Sequence, residues 1–302
     1  MKNVLIITSS IDYTVDYIIA KYKQNSFYRL NVDMLPYYKI EITENGWLIS
    51  TDEWCVTSDF IYSIYYRKPR LPNISIYEPQ YINMIQKDII KLIEGIANSF
   101  DGVVLSRPHI LHNCENKVYQ LQTAGKVGFL LPKSIITNNT ERAANFVENK
   151  TIVKPLTTGK IIYDDNIEIY QTNLIESINE NINLTPIYLQ SYVRKEYEVR
   201  ATFIRDKVFC VKIVSSNTID WRDENAINQY EIIEMPKSIY QKCIKLMTEY
   251  KLEFGAFDFI IVPNGEWVFL EVNPNGQWLW LENELNINIS GEIVNLLNGE
   301  IK

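Results

Sequence analysis

The residues of this 302-residue chain best suited to chemistry lie near its C-terminal end, between positions 254 and 273. That stretch reads as two apolar strands around Asn264-Gly265, a strong signal for a hairpin with a two-residue type I′ loop. If Pro263 pairs with Glu266, counting outward sets Asp258 directly opposite Glu271. Side chains alternate along strands, so opposed residues share a face, and Asn273, two positions on, shares it too. Three oxygen-bearing side chains therefore converge on one patch. The rest of that face is Ile260, Val262, Phe269 and Trp267, and the other carries Phe257, Phe259, Val268 and Leu270. Two carboxylates opposed among apolar neighbours repel and lose hydration unless a cation joins them. Hard oxygen ligands suit Mg²⁺, which keeps several waters and shares phosphate oxygens. The alternative is a solvated hairpin face with two harmless acids, and the apolar neighbours argue against it.

A second constellation is Glu196-Tyr197-Glu198-Val199-Arg200-Ala201-Thr202-Phe203. Alternation sets Glu198, Arg200 and Thr202 on one face of a strand and Val199, Ala201 and Phe203 on the other. Glu198 could accept from ribose hydroxyls while the planar fork of Arg200 clamps a phosphate. An exposed ion pair on that face explains the same residues equally well. Two lysines add to the set. Lys154 interrupts the apolar strand Ile152-Val153-Lys154-Pro155-Leu156, and the loop Thr157-Thr158-Gly159-Lys160 follows it. A lysine inside an apolar strand is costly unless it meets an anion, and a glycine-bearing loop could close over phosphates. Lys117 sits in the first turn of a helix, where the helix dipole mildly disfavours a cation, a placement that makes sense for a phosphate ligand. Taken singly, either lysine could be ordinary surface.

Other chemistries are excluded. The sequence has no GxxxxGK[ST] loop, no GxGxxG, no GxSxG elbow and no HExxH. Its only histidines, His109 and His112, stand three residues apart in a Pro-flanked segment and, read as lacking nearby acidic partners, suit a loop or core role better than a metal site. Cys55, Cys114, Cys210 and Cys243 form no CxxC pair, so neither a disulfide framework nor a zinc knuckle is indicated, and a reduced, cytoplasmic setting is expected. The net charge of −7 argues against nucleic-acid binding. The apolar run after Met1 is too short for a signal peptide, and no stretch reaches the roughly 18 apolar residues of a membrane span.

The elements that must position these residues fall into three regions. In residues 1–107, a buried strand (Val4 to Thr8), a helix (Val15 to Tyr22), a strand (Phe60 to Tyr66) and a helical stripe (Tyr81 to Phe100) predict a small α/β domain. Residues 108–186 read as a helix from Glu115 to Lys126, strands at Lys133 to Thr137 and Thr151 to Pro155, and a helix opening at Thr140. Residues 187–302 read as hairpins with one helix between Ser238 and Leu252.

In combination these residues carry a resemblance. The succession Asn116-Lys117-x-x-Gln120-Leu121, Ile152-Val153-Lys154-Pro155-Leu156, Leu189-Gln190-Ser191-Tyr192-Val193, Glu198-x-Arg200, Asp258 and Glu271-Val272-Asn273-Pro274 resembles the ATP-grasp superfamily over nearly the whole chain. Within it, the sequence is most similar to the ligases that macrocyclise microviridin-type peptides (graspetides). The features that point there are the Tyr66-Arg67-Lys68-Pro69 turn, the short Lys-Pro-Leu-Thr-Thr-Gly loop and the tail Asn273-Pro274-Asn275-Gly276-Gln277-Trp278-Leu279-Trp280. More distantly it resembles ligases that append glutamate to a ribosomal protein. The loop is shorter and poorer in glycine than in typical ATP-grasp enzymes, which suits the macrocyclase branch.

The resemblance implies an α/β (α+β) ATP-grasp fold: a Rossmann-like N-terminal domain, a small central domain and a C-terminal antiparallel-sheet domain. It implies ATP and two Mg²⁺ ions as cofactors. Lys117 and Lys154 would bind phosphates, the latter also near the adenine, which the backbone of Gln190, Ser191, Tyr192 and Val193 would hold. Glu198 would hold the ribose, Arg200 the transferring phosphate, and Asp258, Glu271 and Asn273 the magnesium. Arg222, in Asp220-Trp221-Arg222, is the candidate for recognising the acceptor carboxylate. The implied partner is a precursor peptide with a leader and an acidic, hydroxyl-rich core, without nucleic acid or membrane, and a homodimer is compatible. An Asp or Glu side chain would become an acyl phosphate and then an ester or amide, with no protein nucleophile. The rivals are a ligase adding amino acids to a protein or small molecule, and a nucleotide-binding scaffold without turnover.

Overall fold

The computed structural model of the protein describes residues 2–147, 150–157, 160–163, 166–169, 173–178, 182–217, 221 and 226–300. The chain divides into two units, the first made of residues 1–112, 252–254 and 275–302, the second of 113–251 and 255–274. The first opens with β1 (Asn3–Thr8), α1 (Tyr13–Lys21), β2 (Ser26–Asn31), β3 (Lys39–Thr43), β4 (Gly46–Ser50), β5 (Cys55–Thr57) and β6 (Ser63–Tyr66). It continues with α2 (Pro79–Ser99), β7 (Val103–Leu105) and α3 (Pro108–Glu115), which carries both histidines. Strands β2-β1-β6-β7 form a parallel sheet, and β3-β4-β5 a small antiparallel one. An all-parallel sheet needs cover on both faces, and β1 has five of its six residues buried. Its core gathers Leu5, Ile7, Leu30, Ile49, Ile64, Ile93 and Ile96. A parallel sheet with helices is the kind of α/β arrangement that the resemblance implies for the N-terminal region. The helical stripe is buried only toward its end, at Ile93 and Ile96.

The second unit holds α4 (Lys117–Val127), β8 (Ser134–Thr137), α5 (Thr140–Phe146), β9 (Thr151–Lys154), β10 (Lys160–Tyr163), β11 (Asn166–Ile169), β12 (Asn173–Ile175) and β13 (Ile187–Ser191). These are followed by β14 (Tyr197–Ile204), β15 (Lys207–Ser215), β16 (Asn228–Ile232), α6 (Lys237–Tyr250), β17 (Phe254–Ile261) and β18 (Trp267–Asn273). Its larger sheets run β12-β9-β13-β8 and β16-β15-β14-β17-β18. Helix α4 starts where the Asn116 side chain accepts from the amides of Val118 and Tyr119. It stops at Gly128, whose left-handed φ of 92° suits a glycine. The chain ends in the first unit with α7 (Leu279–Leu285) and α8 (Ile289–Leu297), two helices that the reading of hairpins around one helix did not contain. No helix among the described residues is long and apolar enough to cross a membrane.

Candidate active site

The β17–β18 hairpin pairs Asp258 with Glu271, as the count from the turn predicts, but by a different route. The loop has three residues, not two: Val262 N–H donates to Glu266 O, Gly265 N–H donates to Val262 O, and only Gly265 has positive φ. That is the turn-plus-left-handed-glycine pattern of longer hairpins rather than type I′. It shifts the register by one, and a bulge at Leu270, between the pairs Phe259–Phe269 and Asp258–Glu271, shifts it back. The compensation leaves Asp258, Glu271 and Asn273 together but exchanges their neighbours. Phe269 and Trp267 pack edge-to-face with Phe257 and Phe259 on the opposite face, at ring centroid distances of 5.4–6.3 Å, while Val268 joins Ile260.

The acids are held by cations. Arg200, 6% exposed on β14 beside β17, sets Nη1 2.8 Å from both oxygens of Asp258. Glu198, Arg200 and Thr202 are all buried, which discards the exposed ion pair, and Arg200 pairs with Asp258. Glu198 pairs with Lys195. Lys117 Nζ donates to Glu271 Oε2 at 2.5 Å. Burial alone would lower the Lys117 pKa, but the Glu271 carboxylate outweighs it and holds the ammonium above its ordinary value. Asn273 Nδ2 donates to both acids, at 3.0 Å to Asp258 and 3.1 Å to Glu271. Lys117, Arg200 and Asn273 thus present positive charge or an N–H dipole to the two carboxylates.

Beside this face lies an open cleft lined by Lys117, Gln120, Lys154, Tyr188, Gln190 and Glu271 among others. Lys154 is half-buried at the end of β9, across from Tyr188 on β13. Both lysines therefore reach the same cleft. Gln190 is buried and donates to Ser134 Oγ at 3.2 Å. The Ser191 and Tyr192 amides donate to the carbonyls of Lys133 and Lys150, and Gln190 and Ser191 pair in the sheet with Ile152 and Thr151 of β9. Thr158, Gly159, Asp220 and Arg222 lie outside the described residues. Sequence reasoning missed Tyr188 and the contacts of Gln120. The signals for Gln120 are its place in the Asn116-Lys117-x-x-Gln120-Leu121 motif and its spacing of three from Lys117, which sets both on one helix face. His112 does have an acidic partner, Glu94, at 3.3 Å, a contact that the sequence spacing hid.

The donor set can be tested against a divalent ion and a nucleotide. Among the described residues no three His, Cys, Asp or Glu side chains gather as a metal cage. Two carboxylates and an amide converge there instead, a sparse set compatible with Mg²⁺, which takes one or two protein carboxylates and completes its shell with water and phosphate. Two acids balanced by Lys117 and Arg200 leave the patch near neutral, and a triphosphate accompanied by two divalent ions adds close to no net charge. The residues present fit both. Burial pushes the thiols of Cys114, Cys210 and Cys243 up, Cys210 to about 12, so none offers a thiolate.

No family model matches the sequence, and no curated protein matches it. Solved structures do. The chain is similar to the RiPP-associated ATP-grasp ligase of Chryseobacterium gregarium, solved in complex with ADP and a leader and core peptide. The TM-score is 0.89, with 24% identity over 100% of this chain and 98% of that one. It is similar to macrocyclase MdnC of Microcystis aeruginosa bound with precursor peptide MdnA, with TM-score 0.88, 24% identity, and 99% and 100% of the two chains covered. It is also similar to ATP-grasp ligase PsnB complexed with a phosphomimetic minimal precursor, Mg and ADP, with TM-score 0.79, 19% identity, and 99% and 98% covered. The protein has the ATP-grasp fold.

Proposed function

We propose that the protein is an ATP-dependent ligase that activates Asp or Glu side chains of a ribosomal precursor peptide and joins them to Ser, Thr or Lys side chains as macrocyclic esters or amides. The observation that carries this reading is the face on which Asp258, Glu271 and Asn273 meet Lys117 and Arg200 beside an open cleft. The ATP-grasp fold supports it, as do the precursor peptides and ADP bound to its solved relatives.

In this reading Lys117 and Lys154 hold phosphate oxygens, and Arg200 turns from Asp258 to the transferring phosphoryl group. Glu198 takes the ribose, the backbone of 190–193 the adenine, and Asp258, Glu271 and Asn273 the magnesium. Bound Mg²⁺ supplies charge neutralisation at the phosphoryl oxygens. A substrate carboxylate oxygen bonds to the γ-phosphorus as the bond to ADP breaks. A hydroxyl or amine then bonds to the acyl carbon as phosphate leaves, carrying off the nucleophile's proton. Lys117, Lys154 and Arg200 act by spreading the phosphoryl charge, the kind of term from which such catalysis gains most. Arg222 is assigned to the acceptor carboxylate. Residues 1–107, 108–186 and 187–302 serve as the N-terminal, central and metal-bearing regions, and the protein works in the cytoplasm.

Mass spectrometry of a precursor peptide incubated with the protein, ATP and Mg²⁺ tests this. The expected result is loss of one water mass per crosslink. Stepwise gain of amino-acid residues would instead identify a ligase adding amino acids, and no change a scaffold.

A further inference from the structure

The two metal-face residues of β18, Glu271 and Asn273, flank Val272, and the backbone of Val272 is gripped by a side chain from another element. Gln120, 3% exposed on α4, accepts from Val272 N–H through Oε1 at 3.1 Å and donates from Nε2 to Val272 O at 3.0 Å. The same Nε2 donates to Cys114 O at 2.8 Å. Both N–H bonds and the acceptor of this amide are thereby used, and flipping it would forfeit all three contacts. The side chain thus stands in for a missing strand at the outer edge of β18, whose Phe269 amide is met by Leu130 O at 2.9 Å. One helical turn before Gln120, Lys117 reaches Glu271. A single helix face therefore holds the strand between two metal ligands and delivers a cation to one of them.

We propose that Gln120 is a positioning residue, an amide clamp that fixes Glu271 and Asn273 for the divalent ion and locks them in register with Lys117. The inference rests on the Mg²⁺–nucleotide reading of this face. A helix-to-strand stitch that served stability alone would not affect metal affinity in the folded protein. Partners that orient metal ligands typically change that affinity by about 10- to 100-fold when removed.

The test uses the full chain and two variants. Gln120→Met keeps the length and loses both bonds, whereas Gln120→Glu keeps the acceptor for Val272 N–H. Amide hydrogen exchange without nucleotide should show Val272 protected in wild type, exposed in Gln120→Met and still protected in Gln120→Glu. Titration of Mn²⁺ with a non-hydrolysable ATP analogue, followed by the spectroscopic signal of free Mn²⁺, should weaken by about 10- to 100-fold in Gln120→Met and by less in Gln120→Glu. Unchanged exchange at Val272 in Gln120→Met would overturn the clamp. Faster exchange with wild-type Mn²⁺ affinity would overturn the positioning role while leaving the proposed function intact. If Gln120→Met does not fold, wild-type Mn²⁺ affinity in Gln120→Glu overturns the proposal. Wild-type protein that binds no Mn²⁺ with the analogue would sink the parent reading, and the inference with it.

Discussion

Two buried arginines, one in each unit, show how differently the same ion pair can be used. Arg67, 1% exposed at the end of β6, sets Nε 3.1 Å from Asp12, and its Nη atoms donate to Thr14 at 3.0 Å, Gln277 at 2.6 Å and Asn275 at 3.4 Å. One carboxylate meets one guanidinium, neutral oxygens take the remaining donors, and Asp12 also caps α1. Arg200 instead turns one nitrogen to both oxygens of Asp258, in a face that also holds Glu271, Asn273 and Lys117 beside a cleft. A closed network of the first kind joins chain segments. In the proposed reading, the second kind, a charge-balanced group of opposed acids and cations beside a cleft, exchanges partners when nucleotide and metal bind. Burial alone therefore does not mark an arginine as functional, and the company it keeps decides.

The comparison can be broken by mutation. Arg67→Met strands the Asp12 carboxylate, and should cost about 3–5 kcal/mol in denaturant unfolding. A folded remnant should still bind an ATP analogue normally, and lost nucleotide binding without lost stability would reverse the roles assigned to the two arginines. Lys154→Met should weaken analogue binding about tenfold, near 1.4 kcal/mol, in calorimetric titration. Its unfolding free energy should stay within about 0.5 kcal/mol of wild type, because the side chain is not deeply buried. The smallest effect concerns Glu282, which accepts from Lys21, Tyr17 and the Ser290 hydroxyl and amide. Burial alone would push this carboxyl up, but those donors outweigh it and hold it below its ordinary range. A depressed carboxyl contributes stability above its unfolded pKa and loses it as pH falls through the folded value. Glu282→Gln should therefore flatten the loss of thermal stability below about pH 4. An unchanged acid slope would remove Glu282 from the structural class.

The site was legible in the sequence where strand alternation and a turn signal sufficed. Asp258 opposite Glu271 followed from counting, yet the count succeeded because two register shifts cancelled. Nothing in Trp267-Val268-Phe269-Leu270 announces the bulge, so alternation puts Phe269 and Trp267 on the face of Asp258 and Glu271, whereas their rings pack with Phe257 and Phe259. Arg200 was singled out by its strand position, but a side chain reaching across to the next strand is a tertiary fact that alternation does not carry. The amide clamp of Gln120 is likewise invisible in one dimension, since its partner lies 152 residues away. Helices α7 and α8 went unread in a region dominated by strand signals. In α8, Ser290 and Gly291 interrupt the apolar pattern, and burial of seven of its nine residues overrides their weak propensity.

Calorimetric titration with a non-hydrolysable ATP analogue, with and without Mg²⁺, on wild type and Glu271→Gln tests the central claim most directly. Circular dichroism should accompany it to show that both proteins are folded. The account predicts that Mg²⁺ strengthens binding to wild type at least tenfold, about 1.4 kcal/mol, and that Glu271→Gln loses most of this gain while keeping its metal-free affinity. Equal strengthening by Mg²⁺ in the two proteins would contradict the metal assignment.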